Sequence, residues 1–538
     1  MCSRVRFDRM DVRLPSFPER DGLLTSTDLG DRVAYARDLW PRHHMAVRAG
    51  EVARHKPAAI VWPRSTEEVA AIVRHARATR TPLVPFGAGS GVCAGVLPTP
   101  DAIVVDLKRM ARWRRFDPSA PLLEVEAGHM GVPLEDQLGR HGFTLGHFPS
   151  SILCSTVGGW VAGRSAGQMS GLYGKIEDMV VDLECVTGAG EIVRLHGRAA
   201  RGLGAAAGPS LVPLVVGSEG TLAIVTSATL RLHRAPAERG FAAFSFPTMK
   251  QGWEAMRALF QAGLRPAAAR LYDPFDAMLA RQGSVRRKKD APKRDARGAT
   301  PGLGAAALRT VLRKPAAFNA LLESNMMGRA MGGSLLVLVF EGADGKPAAD
   351  AAEATRTLRG LGGKDEGEGP ARKWLAHRYS VSYRQAPTLA QGLFVDTMEV
   401  AARWSRLEAL YDGVRRALGP RVFVMAHMSH AYPDGCCIYF SFAGSAGSNA
   451  RAGWDAACER VYDGAWRAAL DAAVDAGATL AHHHGAGRSK APKLGRELGL
   501  GVEVFRALKR AFDPDAILNP GALDPERSGA PIAGPEAR

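Results

Sequence analysis

The chain has 538 residues, 46% of them hydrophobic and 23% charged, a globular composition too long for one core, so at least two domains are expected. No run of about 18 uncharged apolar residues is present to span a membrane, and the start MCSRVRFDRMDVR has no apolar signal core, so a cytoplasmic location is expected. The net charge of +16 favours anionic partners, but no helix-turn-helix, zinc finger or basic-aromatic pattern supports nucleic acid.

Residues 1–54 are expected to form a helical extension. Ala58–Trp62 is predicted as a strand, Ser65 with Glu68 as a capping box, and Val69, Ile72, Val73 and Ala76 as the buried stripe of a helix. Thr81–Phe86 is the next strand. It runs into PFGAGSGVCAG at Pro85–Gly95, where Gly89–Ala94 fits GxGxxA and Asp106 ends a following strand. Pro98 and Pro100 interrupt the connection, whereas a dinucleotide-binding unit needs a crossover of about a dozen residues. The loop Pro85, Phe86, Gly87, Ala88, Gly89, Ser90, Gly91 is therefore expected to cradle a pyrophosphate without that helix.

The segment Gly146–Val181 is the densest in small residues: Ser150, Ser151, Ser155, Thr156, Gly158, Gly159, Ala162, Gly163, Ser165, Ala166 and Gly167. Small residues let backbone approach a guest closely and donate to it. The guest expected is an extended, flat, anionic cofactor. A hairpin follows, with strands Val180–Thr187 and Glu191–Leu195 about the turn Gly188–Gly190. A third glycine-rich element, GSEGTLAIVT at Gly217–Thr226, opens the strand Leu222–Leu232.

A second domain is expected over 237–470. Its strands are Gly240–Phe246, Ser334–Phe340, Val422–His427 and Cys436–Phe442, and its helices Lys250–Gln261, Trp404–Leu418 and Asn449–Ala476. The segment Arg281–Lys314 interrupts it with eleven basic and two acidic residues, net +9, and is expected to be a mobile loop. Residues 471–525 form a C-terminal segment with a helix at Val502–Phe512, and 526–538 a fraying tail.

In CCIYFSF, alternation puts Cys437, Tyr439 and Ser441 on one strand face. Tyr439 can act as acid or base once its pKa is lowered, or be a half-buried structural tyrosine. In His482-His483-His484, an extended chain puts His482 and His484 on one face and His483 on the other. No carboxylate or cysteine stands at ligand spacing beside the triplet, and the seven cysteines show no CxxC pair, so no metal site and no disulfide framework is expected. Arg270 is either an anion clamp, through its guanidinium, or a solvated surface residue.

Together the three glycine-rich elements resemble the FAD-binding domain of the vanillyl-alcohol oxidase and FAD-linked oxidase superfamily. STVGGWVAGRSAG with YGKIEDMVV, ARLYD, DGCCIYFSF and HHHGAGR resemble one branch of it, the alkyldihydroxyacetonephosphate synthases, over about residues 55–523. The resemblance implies an α+β architecture: a two-subdomain PCMH-type FAD-binding domain over 55–236, and a cap domain with an antiparallel sheet flanked by helices over 237–470. The C-terminal segment returns to the FAD domain. It implies non-covalent FAD held by residues 85–91, Ser150, Ser155, Thr156, Gly158, Gly159, Gly163, Arg164, Ser165, Ala166, Glu219, Gly220, Thr221, Ile224 and Val225. It implies Tyr439, the histidine triplet and Arg270 as catalytic residues, and a fatty alcohol replacing the acyl chain of acyl-dihydroxyacetone phosphate without net redox. It implies a lipid or other small-molecule substrate, a homodimer, and peripheral contact of 281–314 with anionic membrane. The family's arginine before the tyrosine is His427 here, and a second family arginine falls near Arg384 and Gln385, one position out of register; His427 and Arg384 are expected to bind substrate. The eukaryotic enzymes' peroxisomal address is missing. The ending LKRAFDPDAILNPG resembles the alternative branch, FAD-linked dehydrogenases of 2-hydroxy acids such as D-lactate.

Overall fold

The computed structural model describes residues 23–48, 55–197, 208–282, 312, 314–323, 325–379, 393–445 and 456–528. Arg384, the tail beyond 528 and all but the ends of the basic segment 281–314 lie outside the described residues.

The first layer is a four-stranded sheet in the order Leu24–Ser26, Ala59–Trp62, Ile103–Asp106, Leu83–Phe86, with the last three parallel and the first antiparallel on the edge. The N-terminal extension is thus not purely helical: one strand completes this sheet before helices Leu29–Ala34 and Pro41–Arg48. The helix Thr66–Thr79 starts where expected, because Ser65 Oγ accepts from Glu68 N at 3.2 Å. It buries Val69, Ile72, Val73 and Ala76. No helix joins Phe86 to Ile103. Asp106 is committed to Tyr35 Oη, Trp62 Nε1 and Lys108 Nζ, so it is not free to bind a ribose.

An antiparallel sheet follows in the order Trp113–Asp117, Leu122–Glu126, Ala223–Arg231, Val180–Thr187, Ile192–His196. The small-residue segment supplies the short helices Val157–Gly163 and Ser170–Tyr173. Thr156 caps the first, accepting from Gly159 N at 3.3 Å.

The second half carries a seven-stranded antiparallel sheet in the order Lys364–Asp365, Glu238–Phe246, Ser334–Gly342, Ala268–Tyr272, Phe423–Ala431, Gly435–Gly444, Phe394–Arg403. Its two ends differ. In Glu238–Phe246 and Ser334–Gly342 both faces are apolar. Phe244, Leu336, Leu338 and Phe340 join the core of the cap, while Phe241, Leu335, Val337 and Val339 join the core of the cofactor half. This end cements the halves together. In the other strands the face toward the cofactor half turns polar. The strand Phe394–Arg403 was not expected, because Asp396 and Glu399 interrupt its apolar pattern; both are buried.

Helix Ala456–Asp475 packs on helix Leu407–Leu418. The chain then returns to the first sheet, where Asn519 N donates to Leu83 O at 2.7 Å and Asn519 Nδ2 donates to Gly95 O and Glu219 O, each at 2.7 Å. The N-terminal extension is tied down by a bidentate buried pair, Arg42 Nε and Nη2 to the Asp463 carboxylate at 3.0 and 3.1 Å.

Removing one partner of a buried pair strands the other's charge and costs about 3–5 kcal/mol. Arg42→Met should lower the urea midpoint clearly, and adding Asp463→Leu should recover most of the loss. A double variant no better than the single one overturns the assignment.

Candidate active site

The polar face of the cap sheet carries one cross-strand row. Tyr272 pairs with His427, His427 with Tyr439, and Tyr439 with Glu399 across four neighbouring strands. Directly paired residues share a face, so the register alone assembles an imidazole, a phenol and a carboxylate. The His427 ring stacks on Tyr439 at 4.7 Å and 14°. Arg270 lies on the same face, its guanidinium 5.5 Å from the Tyr272 ring and 5.8 Å from that of Trp374. It is part-buried, and its Nε is buried without a hydrogen-bond partner, a donor aimed into the site rather than a solvated surface charge.

The strand Phe423–Ala431 has a bulge between Ser429 and Ala431, with His430 left-handed at φ 53°. Strict alternation puts His427 and His430 on opposite faces. The bulge re-aims His430, so that its Nε2 lies 3.0 Å from Tyr439 Oη and its Nδ1 2.7 Å from Ser170 Oγ. Sequence reasoning missed His430 for this reason.

The triplet is not extended. Glu399 accepts from the backbone N–H groups of His482, His483 and His484 in succession, which curls the segment around one carboxylate. His483 Nδ1 is 2.8 Å from Glu399 Oε1 and its Nε2 is 2.7 Å from Tyr439 Oη. His483, not its neighbours, meets the tyrosine. Burial works to raise the Glu399 carboxyl, but His483, through the hydrogen bond it donates, and the Lys490 ammonium overcome it and hold it well below the usual range. Burial keeps His482 and His484 neutral, with pKa lowered to about 3. It also lowers His427, with Arg270 adding to the effect. His427, 3.3 Å from Asp276, therefore does not replace an arginine's charge.

The expected lowering of the Tyr439 pKa is corrected. Burial first, then Cys437 and Glu399, push it well above the ordinary value, against Arg270. The phenol keeps its proton and needs an acceptor in contact. No carboxylate or cysteine stands at ligand spacing from the triplet in sequence, but the fold brings Glu399 and Cys437 beside it. Glu399, Cys437, His482 and His483 bring ligand-type atoms within 4.8 Å of one another. The carboxylate's lone pairs are already taken by N–H donors, and burial holds the Cys437 thiol protonated.

Beside His484 lies a cavity of about 140 Å³, lined by Pro85–Gly91, Thr156, Gly158, Gly159, Gly163, Glu219, Gly220 and Val225. A Cβ at Gly87 meets Thr156 Oγ1, and one at Gly158 meets Ala127, so only glycine lets these segments close around the cavity. That glycine cradle fits an anionic cofactor such as FAD. The other expected contacts do not line it. Ser150 accepts from Gln168, and Ser155 from Trp160. Ser165 pairs with His147, Arg164 with Glu177, and Thr221 with Ser218 O. Ala166 and Ile224 are buried. Glu219 lines the cavity, yet its carboxylate accepts from Ala486 N and Gly487 N. A larger cavity of about 450 Å³ around Lys250, Tyr411 and Arg415 contains none of the candidate residues, so size does not locate the site.

His147 heads the small-residue segment and was also missed. Its pKa is lowered to about 3 by burial, then by His483. Unfolding frees it to titrate near 6.5, so between these values the unfolded chain binds the extra proton and this contribution to stability falls on acidification. His147→Gln removes it: below about pH 6.5 the variant's unfolding midpoint should fall less steeply than the wild type's, by up to about 1.4 kcal/mol per pH unit. Parallel curves would show that His147 titrates in the fold.

The FAD binding domain model matches residues 57–196, and the model of the C-terminal domain of FAD linked oxidases matches residues 235–523. Alkyldihydroxyacetonephosphate synthase of Trypanosoma brucei brucei is 28% identical over 503 residues, covering 91% of this chain and 76% of that protein. The Dictyostelium discoideum enzyme of that name is 29% identical over 495 residues, covering 90% and 76%. The mitochondrial D-lactate dehydrogenase (cytochrome) of Arabidopsis thaliana is 24% identical over 485 residues, covering 87% and 74%. A solved alkyldihydroxyacetonephosphate synthase superposes with a TM-score of 0.70 at 26% identity, covering 92% of this chain and 82% of that one. p-Cresol methylhydroxylase gives 0.67 at 17% identity, covering 95% of each chain, and shows the shared fold. Since the oxidase model alone spans more than half of the 538 residues, the chain belongs to the FAD-linked oxidase family and is an FAD-dependent enzyme.

Proposed function

We propose that this enzyme exchanges the acyl chain of acyl-dihydroxyacetone phosphate for a fatty alcohol, as an alkyldihydroxyacetonephosphate synthase does. The observation that carries the reading is the Tyr439 hydroxyl, buried between the imidazoles of His483 and His430 at 2.7 and 3.0 Å. FAD, when bound in the glycine cradle, supplies the ring at which the substrate carbon is held while its substituents exchange. Tyr439 moves the proton at that carbon, with His483 Nε2 as the acceptor in contact. The Arg270 guanidinium, its Nε unspent, offers a fork to the phosphate.

FAD is bound without a covalent link in this reading. Cys93, the cysteine lining the cavity, has its thiol pushed up to about 12 by burial and presents no thiolate. The site is read as metal-free. A second reading, oxidation of a 2-hydroxy acid, is favoured by His427, a neutral imidazole where the synthases carry an arginine.

In Tyr439→Phe, synthase turnover should fall by about 10²–10⁴-fold, while acid-released FAD stays at the wild-type ratio without stoichiometric zinc or iron. The wild type should turn over without an electron acceptor. Flavin bleached anaerobically by D-lactate would install the second reading instead.

Among the described residues no helix is long and apolar enough to cross a membrane. We propose a cytoplasmic homodimer, with twice the chain mass by light scattering, that docks weakly on anionic lipid through 281–314, whose net charge is +9 by sequence. Sedimentation with anionic liposomes at low salt should be lost when Arg286, Arg287, Lys288 and Lys289 become Ser. Unchanged binding by that variant excludes the segment from the contact.

A further inference from the structure

Tyr439 is the centre of a longer hydrogen-bonded chain, and one end of that chain is charged. From the outer end, Tyr432 Oη lies 3.3 Å from Ser170 Oγ, and Ser170 Oγ 2.7 Å from His430 Nδ1. His430 Nε2 is 3.0 Å from Tyr439 Oη. Tyr439 Oη is 2.7 Å from His483 Nε2, and His483 Nδ1 is 2.8 Å from Glu399 Oε1. Glu399 is fully buried and ionised, so it only accepts. Three backbone N–H groups hold it in place.

We propose that Glu399 is a positioning residue that sets the direction of every hydrogen bond in this chain, and that Ser170 and His430 complete it from the other side. The inference rests on the proposed function only for the reaction served. Because Glu399 only accepts, His483 Nδ1 carries the hydrogen. His482 Nδ1, 3.0 Å away on the same edge, competes as a neutral acceptor and loses to the charge-assisted bond. A neutral His483 then has a bare Nε2, which must accept from Tyr439 O–H. Tyr439 has spent its one hydrogen, so its oxygen accepts from His430 Nε2–H. Neutral His430 then has a bare Nδ1, which accepts from Ser170 O–H, and Ser170 accepts from Tyr432.

The chemical consequence is a phenol in the place a serine hydroxyl holds in a Ser-His-Asp triad. As a proton leaves the substrate carbon for the Tyr439 oxygen, the phenolic O–H breaks and an N–H forms on His483 Nε2. The imidazolium so formed lies against the Glu399 carboxylate, and the oxygen is steadied by His430 Nε2–H. The network then carries the extra proton as imidazolium while the substrate carbon keeps the electron pair of its broken C–H bond, and the return step reverses both transfers, so protons and charge balance over network and substrate together. Ser170 belongs to the cofactor half and His430 to the cap, so the alignment is made only where the halves meet.

Glu399→Gln keeps the shape and removes the charge. Its kcat should fall by about 10²-fold or more, with KM and bound FAD nearly unchanged. Ser170→Ala should lower kcat about tenfold, the worth of one hydrogen bond, again without losing FAD. Independently of any substrate, the wild-type holoenzyme should show a far-downfield proton resonance from the His483 Nδ1–H to carboxylate bond. It should persist in Tyr439→Phe and vanish in Glu399→Gln. Wild-type kcat in Glu399→Gln, or a resonance that survives that substitution, overturns the proposal. A Glu399-dependent resonance in an enzyme that performs no acyl-for-alkyl exchange retires the proposed function and leaves the relay standing.

Discussion

Two carboxylates, Glu399 fully buried and Glu219 part-buried at the cavity, receive the backbone of one short loop, and the site depends on that arrangement. Glu399, from the edge strand of the cap sheet, takes the N–H groups of His482, His483 and His484. Glu219, from the glycine-rich turn of the cofactor half, takes those of Ala486 and Gly487. An unpaired buried carboxylate is costly enough to protonate or to unfold its surroundings. Here each is satisfied only if the loop 482–487 sits between the two halves in one conformation. Gly487 makes this possible: it is left-handed at φ 53°, and a Cβ there would run into Cys93 O. The loop thus joins the cradle, through His484, to the tyrosine, through His483.

The cap sheet divides its labour along its width. Where both faces are apolar it behaves as a wall between two cores, and the halves are held by burial. Where the inner face turns polar, each group is paired across strands or to the returning loop. Lys490, fully buried near Glu399 at 3.9 Å, offsets some of the negative charge. The polar row is stable because its members satisfy one another, and the same mutual satisfaction is what aligns donors and acceptors for proton transfer.

Much of this was legible in the sequence. The Ser65 half of the capping box, the glycine loop without a crossover helix and the strand with Tyr439 on its polar face follow from local chemistry, and the structure keeps them; Glu68 closes no box, because its carboxylate accepts from Arg64 N instead. Glu399 was not legible. In FVDTMEVAAR a glutamate reads as a solvated residue, and its opposition to Tyr439 is a matter of strand pairing. His430 was hidden by a bulge that no period-2 pattern shows. The lowered tyrosine pKa expected from its role failed because burial, invisible in a heptapeptide, raises it.

What the sequence determined by itself is therefore which residues are small enough to let backbone approach a cofactor, and which side chains can move a proton or hold an anion. These are properties of residue type and near-neighbour spacing. Only the tertiary structure decided that His483 rather than His482 meets the tyrosine, that Glu399 anchors it, and that Ser170 reaches His430 across 260 positions of chain. Those depend on register, on one bulged residue and on two carboxylates seeking donors, all of which are settled when distant segments pack.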